Sequence, residues 1–297
     1  MSKKELKGIY TPIITPFTKD EKIDFDALKF NLDKWSETDL DGIVVLGSNG
    51  EFVYLTKEEK FEVIEFVVKN FTKDKNIIVG TSCESALETI DMSKKAAEMG
   101  ADAVLILPPH YYKGAMKEDV LYKYFTDVAE ESPVPVMIYN MPGNTGINLS
   151  STLISKLAKH PNIVGIKDTS GNIVQIAEIV RDTDEDFAVF AGNAGYLLPA
   201  LAVGARGATL ALANILPDDC CRLVELAREN KMEEALELQQ KLIEINSYVT
   251  AKMGVSGLKH ALNQLGFKGG YPRRPLLELS DENKALLEKV IADYQGK

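Results

Sequence analysis

A lysine closes the apolar run Ile163-Val164-Gly165-Ile166-Lys167. If that run is a β-strand, its period of two sets Ile163, Gly165 and Lys167 on one face, and a strand covered on both sides holds the amine at its C-terminal end. An amine without its proton is a nucleophile for carbonyl carbon, and apolar burial is the expected way to lower a lysine from a free pKa near ~10.4; the flanking Ile163, Val164 and Ile166 suit such a setting. Taken alone, a strand-end lysine is as readily a solvated one. Tyr139 ends the preceding run, Val134 to Tyr139. Neighbouring strands lie about 5 Å apart, so a phenol and an amine on adjacent strand ends can share one substrate atom, although buried tyrosines also serve as plain packing groups. A third segment, Gly47-Ser48-Asn49-Gly50-Glu51, brackets a hydroxyl and an amide between glycines. Its backbone N–H groups could cradle a carboxylate, without the spacing and lysine of a phosphate loop; on its own such a segment is as readily a simple turn.

These residues need a scaffold that brings strand ends together. Short apolar runs alternate with longer segments of helical period, the rhythm of parallel strands joined by helices. Eight strands are expected: Ile9 to Ile14, Gly42 to Leu46, Asn76 to Gly80, Asp102 to Leu107, Val134 to Tyr139, Asn162 to Lys167, Phe187 to Ala191 and Ala208 to Ala213. Amphipathic stretches such as Phe25 to Ser36, Lys57 to Asn70 and Met116 to Glu130 separate them, several behind capping residues such as Asp24, Thr56 and Ser150. The expected fold is α/β, a (β/α)8 barrel in which active-site groups gather at the C-terminal strand ends; an open doubly wound sheet is the alternative. The barrel is assigned to residues 1–230. Residues 231–297 form a helical extension packed on it within one structural unit, with helical pattern at Met232 to Lys252, Gly257 to Leu265 and Asp281 to Tyr294.

With 297 residues, 45% of them hydrophobic, the chain can fill one large core. Its 34 basic and 44 acidic side chains give a formal charge of −10, which offers no general attraction to nucleic acid or anionic membrane. The Lys-rich start, Met1 to Tyr10, has no signal-peptide apolar run, and no later stretch is long enough to span a bilayer, so a cytoplasmic protein is expected. Cys83, Cys220 and Cys221 suggest reduced structural thiols, and His110, His160 and His260 lack metal-ligand spacing, so no metal is expected.

Three segments together carry a resemblance. Gly47-Ser48-Asn49-Gly50-Glu51, Tyr139-Asn140-Met141-Pro142-Gly143-Asn144-Thr145-Gly146 and Gly165-Ile166-Lys167-Asp168 resemble, in order and separation, the signatures of the dihydrodipicolinate synthase and N-acetylneuraminate lyase superfamily. The likeness runs from about Gly8 through the extension and includes Tyr111-Tyr112, Ala191-Gly192-Asn193-Ala194-Gly195 and Gly257-Leu258-Lys259. It implies a homotetramer, a dimer of dimers, in which Lys167 forms an imine with pyruvate or a pyruvate-yielding 2-keto acid. No cofactor is implied beyond that covalent imine. By the same resemblance Tyr139 matches a proton-transfer tyrosine, Ser48 and Asn49 match carboxylate-binding and relay positions, and Tyr112 matches a tyrosine that reaches a neighbouring subunit's site. Thr169, Gly192 and Thr209 match positions near bound keto acid.

Synthases of that superfamily usually carry an arginine where this chain has Asn144, and without it a bidentate contact to a second substrate's carboxylate is lost. The wording of Gly47 to Phe52, Cys83-Glu84-Ser85, Asn144-Thr145-Gly146 and His160 to Gly165 is more similar to 4-hydroxy-2-oxoglutarate aldolases and related 2-keto-3-deoxy sugar-acid aldolases. The expected activity is therefore that of a carbon-carbon lyase, a class I aldolase cleaving a 4-hydroxy-2-oxo acid or 2-keto-3-deoxy sugar acid to pyruvate (or glyoxylate plus pyruvate) and an aldehyde. Condensation of pyruvate with aspartate semialdehyde is the alternative, N-acetylneuraminate lyase a third, and a keto-acid-binding barrel without turnover the non-enzymatic one.

Overall fold

The computed structural model describes residues 5–296, so the extreme ends of the barrel and extension assignments, and Met1 to Lys4 of the Lys-rich start, lie outside it. Eight strands close a parallel barrel in sequence order: β1 (Gly8–Pro12), β2 (Gly42–Val45), β3 (Asn76–Gly80), β4 (Ala103–Ile106), β5 (Val136–Asn140), β6 (Ile163–Asp168), β7 (Ala188–Ala191) and β8 (Gly207–Thr209). Closure is direct: Gly8, Ile9 and Tyr10 of β1 pair with Gly207, Ala208 and Thr209 of β8. The open sheet is thereby excluded.

The outer ring is made by α1 (Phe25–Ser36), α2 (Lys57–Asn70), α3 (Ala86–Met99), α4 (Glu118–Glu131), the single turn α5 (Pro142–Thr145), α6 (Ser151–Leu157), α7 (Ile173–Arg181), α8 (Leu197–Ala202) and α9 (Pro217–Arg228). The three expected caps form. Asp24, Thr56 and Ser150 accept from the backbone N–H groups of Ala27, Glu59 and Leu153, and Thr56 with Glu59 makes a reciprocal capping box.

Two expectations need correction. β8 is shorter than Ala208 to Ala213, because Ala211–Asn214 coils into a 3-10 turn. Asn214 Nδ2 donates to the Pro12 carbonyl at 3.0 Å, taking an acceptor at the end of β1 that a longer β8 would need. In β6 the pairing register shifts between Val136 and Met137, which face Ile163 and Gly165, so Val164 is the extra residue of a bulge. Ile163 and Ile166 accordingly pack in the apolar cluster shared with the helices, and the alternation toward Lys167 holds only from Gly165 onward.

Inside the barrel, Tyr10, Val44, Ile78, Leu105, Met137 and Phe190 form a separate apolar cluster that also contains Tyr139. The Tyr10 and Phe190 rings lie 5.4 Å apart, and Asn76 Nδ2 donates to the Tyr10 hydroxyl at 2.6 Å, so the lower barrel is solid side chain.

The extension comprises α10 (Met232–Ser247), a π turn at Tyr248–Lys252, α11 (Gly254–Gln264) and α12 (Asp281–Gln295). Its buried Leu242, Ile245, Val249, Leu258, Leu262 and Ile291 belong to the same apolar cluster as barrel residues such as Ile9 and Ile43. Polar contacts aim it at the C-terminal rim: Gln239 donates to the Ala194 carbonyl at 2.9 Å and Asn246 to Asn193 Oδ1 at 2.8 Å. No helix among the described residues is long and apolar enough to cross a membrane.

Candidate active site

At the C-terminal rim, Tyr139 and Lys167 are register partners on β5 and β6, both about 4% exposed. Lys167 Nζ lies 4.1 Å from the centroid of the Tyr139 ring. The apolar wall beside the amine is thus the tyrosine face, while Ile163 and Ile166, expected to supply it, point into the outer cluster. The strand ends are locked one residue further along, where Asn140 pairs with Asp168. Asp168 is fully buried. Its carboxylate accepts from Asn140 Nδ2 and Gln175 Nε2, each at 2.9 Å, and from the backbone N–H and hydroxyl of Ser170. Asn148 ties Asn140 to Gln175 and completes the network.

Ser48 enters from the loop after β2, where Ser48–Gly50 forms a 3-10 turn. Its hydroxyl oxygen stands 3.5 Å from that of Tyr139, longer than a typical O–H···O bond but within a small shift of one. The turn ends at Glu51, which adopts a left-handed φ of 54° and turns a buried carboxylate away from solvent. That carboxylate meets Lys259 of α11 at 2.5 Å and accepts from the Arg273 backbone N–H at 2.9 Å. Lys259 also donates to the carbonyls of Thr15 and Tyr271. Burial works against its charge and lowers its pKa, while Glu51 draws it back up.

A cavity of about 520 Å³ opens above the lysine. Of the residues singled out from sequence, Ser48, Asn49, Tyr139, Asn144, Lys167, Thr169, Gly192 and Thr209 all line it. Thr209 Oγ1 is buried and has no hydrogen-bond partner among the described residues, so it is available to a ligand. The Thr169 hydroxyl is committed to the Asn140 carbonyl at 2.6 Å. At Gly192 a Cβ would lie 2.0 Å from Thr169 Cγ2, so only glycine keeps that wall in place. Lys167 is the one lysine or arginine among the lining residues.

Tyr112 does not join them. It stands outside its own chain's cavity, 73% exposed, with its ring edge-on to the equally exposed Tyr111. Conversely, sequence reasoning did not single out Asn193 as a lining residue or the roof formed by Val249, Thr250, Ala251, Gly254 and Val255. Among the described residues no three His, Cys, Asp or Glu side chains are grouped to hold a metal.

The three signature segments therefore converge on one cavity, and a model of the dihydrodipicolinate synthetase family matches residues 5–294. The chain belongs to this family. It is 34% identical over 287 residues to a 4-hydroxy-tetrahydrodipicolinate synthase of Oceanobacillus iheyensis, covering 97% of each chain. It is 36% identical over 292 residues to a probable mitochondrial 4-hydroxy-2-oxoglutarate aldolase of Emericella nidulans, covering 96% of this chain and 94% of the relative. Among solved structures, a dihydrodipicolinate synthase from Acinetobacter baumannii complexed with pyruvate superposes with a TM-score of 0.92 at 29% identity, over 97% of this chain and 99% of the other.

Proposed function

We propose that this chain is a class I aldolase that holds pyruvate as an imine on Lys167 and reversibly cleaves a 4-hydroxy-2-oxo acid to pyruvate and an aldehyde. The imine is supported above all by the facing of Tyr139 and Lys167 across β5 and β6. Neutral Nζ adds to the keto carbon, a proton reaches the carbinolamine oxygen, and water leaves to give the iminium. The iminium then accepts the electron pair of the breaking C3–C4 bond while the 4-hydroxyl loses its proton. The aldehyde departs, C3 of the enamine is protonated, and hydrolysis returns pyruvate and the free amine. Tyr139 is suited to each proton transfer, with Ser48 beside its hydroxyl as the next group of the relay. The Ser48-Asn49 turn and the unpartnered Thr209 hydroxyl are suited to the keto-acid carboxylate.

Asn144 supports cleavage over synthase chemistry. It lines the cavity where the superfamily's synthases usually carry arginine, and the other lining residues supply no replacement guanidinium. The names of the relatives lean the other way: most of those compared are 4-hydroxy-tetrahydrodipicolinate synthases, which supports condensation of pyruvate with aspartate semialdehyde as the second reading. A tetramer would give the exposed Tyr112 a neighbouring subunit's site to enter.

Two measurements test the proposal. Borohydride reduction with pyruvate is expected to add a stable mass to the peptide holding Lys167, and absence of an adduct would sink the imine. A pyruvate-release screen over 4-hydroxy-2-oxoglutarate, 2-keto-3-deoxy sugar acids and N-acetylneuraminate, beside a condensation assay with aspartate semialdehyde, decides the partner. Dominant condensation would overturn the cleavage reading.

A further inference from the structure

Glu51 and Lys259 are each about 1% exposed, lie far apart in sequence, and touch no part of the cavity directly. A buried ion pair contributes little net stability over apolar replacements, so its geometry is the more informative property. Glu51 is the residue on which the Ser48 turn closes: its N–H donates to the Ser48 carbonyl at 3.2 Å, and the Gly50 N–H donates to the Gly47 carbonyl at 3.0 Å. A non-glycine residue in the left-handed region stays there only when its surroundings hold it.

Here the hold comes from the extension. Lys259 fixes one end of the Glu51 carboxylate and the Arg273 N–H the other. Lys259 also reaches the Thr15 carbonyl, and the Thr15 hydroxyl donates to the Gly50 carbonyl at 2.8 Å, so the turn is gripped at two successive residues. Arg273 in turn makes paired contacts to Glu59, the capping-box residue of α2, at 2.6 and 2.8 Å, and stacks over Phe17, whose ring Lys259 also covers. Five segments of the chain meet on this cage: Thr15 to Phe17, the Gly50-Glu51 turn, the start of α2 at Glu59, α11 at Lys259, and Arg273. Its rigid output is the position of Ser48, whose hydroxyl needs a shift of only a few tenths of an ångström to bond Tyr139.

We propose that Glu51 and Lys259 are positioning residues through which the C-terminal extension sets the Ser48 hydroxyl for proton exchange with Tyr139. The inference rests on the imine reading above and on Ser48 serving the relay.

The test uses pyruvate alone, so it does not depend on the unknown aldehyde. Exchange of the pyruvate methyl protons with deuterium, followed by NMR, reads proton transfer between imine and enamine, while borohydride trapping reads the imine itself. Lys259→Met, Glu51→Gln and the double variant Glu51→Met/Lys259→Met are compared in the native and Ser48→Ala backgrounds. The apolar double variant removes both buried charges, whereas Lys259→Met and the near-isosteric Glu51→Gln each leave one charge without its partner, so the double variant is the folded protein on which the measurement relies. The double variant is expected to melt below the native protein, because the Thr15 and Tyr271 carbonyls and the Arg273 N–H lose their partners, but to stay folded and trap pyruvate on Lys167 to the same extent, yet exchange about 10- to 100-fold more slowly. In the Ser48→Ala background the same change should cost less than about twofold, because the positioned group is already gone. Wild-type exchange in the double variant, or an equal loss in both backgrounds, overturns the positioning role. Failure of native protein to trap pyruvate would instead overturn the imine reading.

Discussion

Lys167 Nζ sits over the face of Tyr139, 4.1 Å from the ring centroid, because the two residues are register partners on adjacent strands. The ring faces the amine while its hydroxyl oxygen stands 3.5 Å from that of Ser48, so ring and oxygen meet different groups. Removing the oxygen alone should separate these contacts. Tyr139→Phe keeps the packed ring and is expected to fold with a near-native melting temperature, while kcat falls by about 10²-fold or more. Steady-state kinetics with a circular dichroism melt check it, and near-normal turnover removes Tyr139 from the mechanism.

The Asn140–Asp168 contact holds the same two strands together one residue beyond Tyr139 and Lys167. Asp168→Ala would take one acceptor from each of the Asn140 and Gln175 amides, leaving them only Asn148 Oδ1, and would remove the acceptor of the Ser170 N–H and hydroxyl. Unmade buried hydrogen bonds cost about 1–3 kcal/mol each, so a loss on the order of 3 kcal/mol and a clearly lower melting temperature are expected. An unchanged melting curve would mean that water reaches the site and replaces the carboxylate.

The barrel and the centre of the cavity could be read from local pattern, whereas Thr169, Gly192 and Thr209 were reached only through the family resemblance. Apolar runs located eight strands, and a reactive side chain at each strand end located Tyr139 and Lys167. What local pattern does not encode is where non-consecutive segments meet. The bulge at Val164 depends on pairing with β5 and so reversed the facing expected for Ile163. The roof at Val249 to Val255 depends on a π turn that a helical period does not distinguish from an α-helix. Lys259 did leave a trace, since it stands inside the apolar stripe of α11 between Leu258 and Leu262, an unusual place for a lysine without a buried partner.

The three thiols are set against reaction. Burial pushes Cys83 up to about 11 and Cys221 up to about 12, and raises Cys220, which is fully buried, well above the ordinary thiol range. Thiolate is the reactive form, so at pH 8 on the order of one Cys83 in a thousand is competent at any moment. A disulfide reagent such as Ellman's should therefore label the native protein much more slowly than free cysteine at pH 8, and titrate three thiols per chain once guanidinium unfolds it. Rapid labelling of a native thiol would contradict the burial.

On the proposed reading Asn144 helps to select the aldehyde, and it lines the cavity apart from the Tyr139–Lys167 strand pair. It is exposed at the cavity rim on the single turn α5, so a longer side chain has room. Asn144→Arg would supply the cation that the other lining residues lack besides Lys167, and a charge-assisted contact to a carboxylate contributes about 1.5–3 kcal/mol. That corresponds to a shift of about tenfold or more in the ratio of kcat/KM for condensation with aspartate semialdehyde over cleavage of the best 4-hydroxy-2-oxo acid. Borohydride trapping of pyruvate should stay at the native level, because imine formation as proposed above does not use this position. A ratio that does not move, in a variant that still traps pyruvate, would mean that Asn144 does not select the second substrate and that the preference lies in the roof from Val249 to Val255.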